Sequence, residues 1–260
     1  MKRSVVIAVC VLLFLPALIS GDDQSAVELV KRMDSIIRGT NSSEGSMTMI
    51  IKKKRWRKPR TIKMKFWEVK RAENEPGKSF ILITDPVSEA GKGFLKIGNE
   101  MWSYFPNVNT TTKIPPSMML QNWMGSDFTN DDLVRESSIV LDYTHRTLDT
   151  ETQNGVKLTT IELIPKPDAP VTWGKIVITV REEDAIPTRQ EYYNEKGKLV
   201  RVMTFEDIKV MSGQKLPTKW TMIPKDKPGD GTVIIVNDMK FDAGIDPQTF
   251  TMANLRKGGL

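Results

Sequence analysis

Two residue types that carry much protein chemistry are nearly missing from this 260-residue chain: it has one cysteine and one histidine. Zinc centres built from His and Cys are excluded by counting. No G-x-S-x-G turn is present to lift a serine nucleophile, so a Ser-His-Asp triad has no elbow to stand on. His145, in a strand-like run beside Tyr143 and Thr144, lacks a recognisable partner for general-base work and reads as a structural or solvent-facing side chain. Gly- or Ser-rich linkers are absent, and no shift in composition divides the chain. Long apolar runs are also absent beyond the N-terminus. What remains points to binding rather than catalysis, with no enzyme activity, cofactor or metal expected.

The N-terminus has the layout of an export signal. Lys2 and Arg3 precede the uncharged run Val5–Ile19, and Ser20-Gly21 precede Asp22-Asp23. That run is shorter than the about 20 residues a spanning helix needs and contains Pro16. It reads as a secretory signal, residues 1–21, cleaved near Ser20 or Gly21. Cys10 lies mid-run after Val9, which is not the small residue that lipid attachment requires, so it belongs to the signal. The mature chain, 22–260, then enters an oxidising space with no cysteine and must be held by its core. A chain of this length can bury one large core as a single domain.

The formal charge of +6 falls to +4 once Lys2 and Arg3 are removed. The basic excess gathers in Lys52, Lys53, Lys54, Arg55, Arg57, Lys58 and Arg60, interrupted by Trp56 and Pro59. Two readings stand: a solvated hairpin tip, or a patch that meets anionic lipid head groups or an acidic partner. Export argues against nucleic acid.

Periodicity separates one helix from many strands. Val27, Val30, Met33 and Ile37 recur at helical spacing, with Ser25 as a candidate cap and Gly39 as a stop. After that, alternation dominates. Met47, Met49 and Ile51 share one face of Glu44–Ile51; Ile62, Met64 and Phe66 share one face of Thr61–Val69. Ser79–Thr84, Phe94–Ile97 and Met101–Phe105 follow. If Gly98-Asn99 is a two-residue turn, Leu95 and Ile97 share a face with Trp102 and Tyr104. Tyr143–Leu148, Val156–Ile164, Lys175–Arg181, Arg189–Asn194, Leu199–Val210, Lys215–Ile223 and Thr232–Phe241 complete about twelve strands, which predicts an antiparallel all-β domain.

Ile114–Glu136 interrupts the strands with Met118, Met119, Leu120, Trp123, Met124 and Phe128, between Pro115-Pro116 and Asp127, Asp131 and Asp132. Methionine and aromatics make a pliable apolar surface. Ser117 can cap a short helix through Trp123, and Thr129-Asn130-Asp131-Asp132 fits a second helix start. The aspartates lack calcium-loop spacing and read as caps. Composition alone leaves the methionines as core filler or as the lining of a ligand site.

The phrases GKGFLKIGNEMWSYFPN at Gly91–Asn107, IPPSMMLQNWMGSDFTNDDLVRE at Ile114–Glu136 and FDAGIDPQTFT at Phe241–Thr251 carry a resemblance. They resemble the outer-membrane lipoprotein-sorting (LolA-like) family, in its uncharacterised branch. The resemblance implies one strongly curved antiparallel sheet, an incomplete barrel of about 11–12 strands, with a few short helices covering its open concave side. It implies a periplasmic carrier, or sensor, of lipid or lipoprotein acyl chains, and an inner-membrane transporter complex as partner. Known carriers use a cavity arginine for ligand release; the basic run in this early hairpin leaves no single position to match it. The expected cavity lining is Met47, Met49, Ile51, Ile62, Met64, Phe66, Leu95, Trp102 and Tyr104. The expected lid is Val30, Ile37, Met118, Met119, Trp123, Met124 and Phe128. The competing reading is a non-carrier adaptor that docks on a transporter through its basic hairpin. A secreted hydrolase would need a convergent acid–base pair, and an integral outer-membrane barrel fits poorly with lid helices.

Overall fold

The computed structural model describes residues 23–72, 75–130, 132, 139–167, 169, 171 and 173–258. The expected signal, 1–21, lies outside the described residues, as do Asp131 and most of the second helix expected after Thr129.

The helix α1, Gln24–Arg38, opens the described chain. Its cap is Asp23, whose carboxylate accepts the Ser25 and Ala26 N–H groups. Ser25 therefore sits one step inside the helix and donates its hydroxyl to Asp23. Ala26, Leu29, Val30 and Met33 form the buried stripe, with Val27 half-buried beside it. Gly39, at φ 73°, ends the helix and returns its N–H to the Ser35 carbonyl, a conformation that costs glycine nothing.

Thirteen strands follow: β1 Ser42–Lys52, β2 Arg60–Val69, β3 Lys78–Asp85, β4 Gly93–Ile97, β5 Glu100–Phe105, β6 Thr110–Ile114, β7 Tyr143–Gln153, β8 Val156–Pro165, β9 Lys175–Arg181, β10 Pro187–Tyr193, β11 Leu199–Met211, β12 Gln214–Pro224 and β13 Gly231–Phe241. They form one sheet in the order β6-β5-β4-β3-β2-β1-β13-β12-β11-β10-β9-β8-β7. Every pairing is antiparallel. β6 and β7 are free edges, so the sheet is a half-barrel rather than a closed one.

The strand beyond the expected twelve is β6, a threonine-rich edge paired with β5 after a left-handed turn at Asn109. Curvature comes from irregular registers at Ser46/Met47, Lys63/Met64, Thr147/Asp149, Pro187/Arg189 and Tyr192/Tyr193. Each extra residue bends and twists its strand. Gly45 permits the tightest of these approaches, since a Cβ there would stand 2.1 Å from the Asp238 carbonyl oxygen.

The two faces of the sheet are covered differently. On the concave side α1 and the Met119–Phe128 segment pack on the main core. On the convex side of β3–β5, the turn Pro247–Phe250 and the short helix α2, Met252–Arg256, seal a second cluster of Phe80, Leu82, Leu95, Tyr104, Phe250 and Leu255. The expected helix from Ser117 to Trp123 is two separate 3-10 turns instead, Pro116–Met118 and Trp123–Gly125. Among the described residues, no helix is long and apolar enough to cross a membrane.

Candidate functional site: a methionine-lined hollow and its clasp

Alternation on neighbouring strands builds the floor of a concave hollow. Met47 on β1 faces Met64 on β2 as a cross-strand pair, and Phe66 faces Ile81 on β3. The far wall comes from Met203 and Phe205 on β11, Trp220 on β12, and Ile234 and Met239 on β13. Phe205 and Trp220 meet edge to face at 6.1 Å. The roof is Met33 and Ile37 of α1 with Trp123 and Phe128 of the loop. The volume of this partly open hollow is about 180 Å³. Six methionines line it: Met33, Met47, Met49, Met64, Met203 and Met239. Such side chains have many low-cost rotamers, so the walls can reshape around a guest.

One rim is charged. Asp34, Arg38 and Glu68 reach the hollow, where Arg38 pairs with Glu68 and lies 3.6 Å from Asp34; Lys70 also holds Asp34. Burial disfavours the Arg38 charge, but Glu68 and then Asp34 more than offset this, so the guanidinium is held above its ordinary value. Arg38 is therefore a fixed cation beside an apolar space.

The roof loop is fastened to the sheet by buried ion pairs. Asp127 accepts from Lys53 Nζ at 2.5 Å and from Thr232 Oγ1 at 2.7 Å. Asp132 pairs with Arg201, and both side chains are only 4% exposed. The Arg201 guanidinium is layered between Trp173 and Tyr192, 4.4 and 4.3 Å from their ring centres, and donates to the Asp127 carbonyl at 3.1 Å. Arg60 donates to the Met124 carbonyl at 2.7 Å and pairs with Glu89. Thr129 and Asp132 exchange side-chain and backbone hydrogen bonds in a capping box.

Of the expected lining, Met47, Met49, Met64 and Phe66 border the hollow. Ile51 and Ile62 are fully buried in the same core but do not border it. Leu95, Trp102 and Tyr104 lie on the other face, in the convex cluster. Among the expected lid residues, Ile37, Trp123 and Phe128 border the hollow, Val30 packs in the core beside it, Met119 and Met124 are half-buried against that core, and Met118 is exposed.

The basic run divides. Lys52, Lys54, Arg55, Arg57 and Lys58 are exposed, whereas Lys53 and Arg60 are consumed by the clasp. Reasoning from sequence did not assign Met33, Met203, Phe205, Trp220, Ile234 and Met239 to the site. The alternation of Arg201, Met203 and Phe205 within one strand was the available signal. His145 is buried, 1% exposed, and its Nε2–H donates to the Ile139 carbonyl at 2.7 Å. Among the described residues, no group of three or more His, Cys, Asp or Glu side chains could hold a metal ion.

Comparison with known proteins places this architecture. A family model described as an uncharacterized protein matches residues 75–257. None of the curated proteins matches the sequence. Among solved structures, a domain described as an outer membrane lipoprotein-sorting protein from Vibrio parahaemolyticus is 22% identical. The match covers 90% of this chain and 99% of that one, with a TM-score of 0.75. A DUF1329 family protein from Desulfovibrio piger is 22% identical over 91% of this chain and 100% of that one, with a TM-score of 0.79. A LolA superfamily protein from Nitrosomonas europaea is 22% identical over 88% of this chain and 98% of that one, with a TM-score of 0.73. At that identity the shared property is the fold.

Proposed function

The chain belongs to the outer-membrane lipoprotein-sorting (LolA-like) family, in its uncharacterised branch, and from that membership we propose that it is a periplasmic carrier, or sensor, of lipid or lipoprotein acyl chains. Residues 1–21 direct export and are removed. The guest lies in the hollow between the curved sheet, α1 and the Trp123–Phe128 loop, and an inner-membrane transporter complex is the exchange partner.

The observation that carries this reading is the unfilled, methionine-lined space. An acyl chain gains about 0.8 kcal/mol for each methylene removed from water, so about ten buried methylenes supply about 8 kcal/mol. Cargo of variable length needs walls that reshape, which methionine provides and a rigid leucine core does not. The present volume of about 180 Å³ is below the about 300–1,000 Å³ of pockets that enclose a whole small ligand. Loading therefore requires α1 or the clasped loop to move outward. A non-carrier adaptor would be expected to fill this space with its own side chains, so the hollow favours the carrier.

The test is titration of delipidated protein with a fluorescent long-chain fatty acid. Saturable binding, displaced by phospholipid or acylated peptide and quenched by the wall tryptophans, is the expected result. Absence of saturable binding would overturn the proposal.

A further inference from the structure

The end of the half-barrel that carries the β1–β2 connection has a composition that the hollow does not explain. Lys52, Lys54, Arg55, Arg57 and Lys58 project into solvent there. The neighbouring β12–β13 connection lies against the hairpin: Asp230 accepts the Lys54 N–H at 2.8 Å, and Gly229 packs on the Lys54 side chain. Asp230 is thereby occupied by Lys54 and Lys53, while Lys225 and Lys227 on the same connection are exposed beside one acid, Asp226. The patch is strongly cationic.

The rim continues from the hairpin through the β3–β4 and β5–β6 connections. Arg60 pairs with Glu89 on the first of these. Gly91 lies against Pro106 of the second, and Lys92 reaches over the Phe105 ring at 5.8 Å. These two connections carry Val87 and Val108, residues that are 89% and 67% exposed. The same rim thus joins a field of cations to two protruding apolar side chains.

From this juxtaposition we propose that the rim is a docking surface for an anionic lipid bilayer. Cations gather at the negative headgroup layer, each adding to the attraction, while small apolar side chains enter the boundary between headgroups and acyl chains. An acidic protein would account for the lysines and arginines but leaves the valines in water; a bilayer accounts for both. The proposal is independent of what occupies the hollow. It also sets an orientation. Lys53 and Arg60 belong to this hairpin and hold Asp127 and the Met124 carbonyl, so docking brings the covering loop up to the membrane.

The test is co-sedimentation of the exported protein with vesicles of phosphatidylglycerol mixed into phosphatidylcholine, against phosphatidylcholine alone. Binding is expected only to the anionic vesicles and should fall as salt is added. R55E/R57E should weaken it by at least about tenfold. V87S/V108S should weaken it with the salt dependence retained. K209E/K215E, on β11 and β12 beside their connecting turn at the opposite end, should leave it unchanged, and thermal unfolding verifies that each variant is folded. The proposal is overturned by equal binding to both vesicle types, by R55E/R57E binding like the parent, or by no vesicle binding at all. In the last case, salt-sensitive capture on an acidic polymer would assign the rim to a soluble polyanion.

Discussion

The two faces of strands β1–β5 are built from the same chain segments and solve opposite problems. On the convex face Phe80, Leu82, Leu95 and Tyr104 interlock with Phe250 and Leu255, and Trp67 stacks on Phe80 at 5.6 Å and 23°. Large, stiff side chains close that side. On the concave face, Met47, Met49 and Met64 look across a gap at Met203 and Met239. The convex cluster is plugged by aromatic and leucine side chains with no methionine among its buried members, whereas six methionines share the walls of the hollow with aromatics such as Phe205 and Trp220. Stiff shapes specify one packing and pliable ones tolerate several.

The comparison is broken most forcefully by removing a convex-face anchor. Phe80 is 0% exposed, so Phe80→Ala should cost about 3–5 kcal/mol in urea unfolding. The affinity of the folded protein for an acyl probe should stay unchanged. A large affinity loss without a stability loss would show that the faces are not separate.

The clasp comes next. Asp132→Ala leaves the Arg201 charge without its carboxylate in a buried setting, at a cost of about 3 kcal/mol. Hydrogen exchange at Trp123–Phe128 should quicken, because the covering loop loses an anchor. Unchanged exchange there would remove the loop from the gating role.

A milder change sharpens the contrast on the concave side. Met47→Leu combined with Met64→Leu conserves volume closely and should cost under about 1.5 kcal/mol. It should narrow the range of chain lengths bound, as read from titrations with acyl probes of graded length. An unchanged range would return these methionines to the role of core filler.

The smallest effect concerns the junction of α1 with the sheet. Asp242 accepts the Asn41, Ser42 and Thr40 N–H groups. The Asn41 bond first of all, joined by the Ser42 and Thr40 bonds and opposed by desolvation, holds its carboxyl below the ordinary value of 3.8. A carboxyl lowered in the folded state stabilises above its unfolded value, and that stability is lost as pH falls through the folded value. Asp242→Asn should therefore cost about 1 kcal/mol at neutral pH, with the difference from the parent shrinking as the solution is acidified below that ordinary value. A difference independent of pH would assign the effect to packing.

Much of the fold was legible because alternation is a direct consequence of pleating. It predicted twelve of the strands and put Met47, Met49, Met64 and Phe66 on one side. Alternation has no sign, however. It groups Leu95 with Trp102 and Tyr104 correctly as neighbours but does not say which face the sheet curves toward. β6 escaped notice because an edge strand of threonines lacks an apolar side. Charge patterning groups Lys53 with its basic neighbours, since its partner Asp127 is 74 positions away and patterning carries no long-range pairing. Alternation places the far wall, Met203 to Met239, on strands but not in the site, since closing a hollow needs the curvature that the bulges supply.

The account rests on hydrocarbon occupying the hollow. Native mass spectrometry of protein isolated from its own cell envelope measures this most directly. The expected spectrum shows adducts with the masses of acyl lipids or acylated peptide, removed by organic extraction and restored by adding lipid back. A spectrum of the bare chain alone, unchanged after incubation with phospholipid or fatty acid, would contradict it.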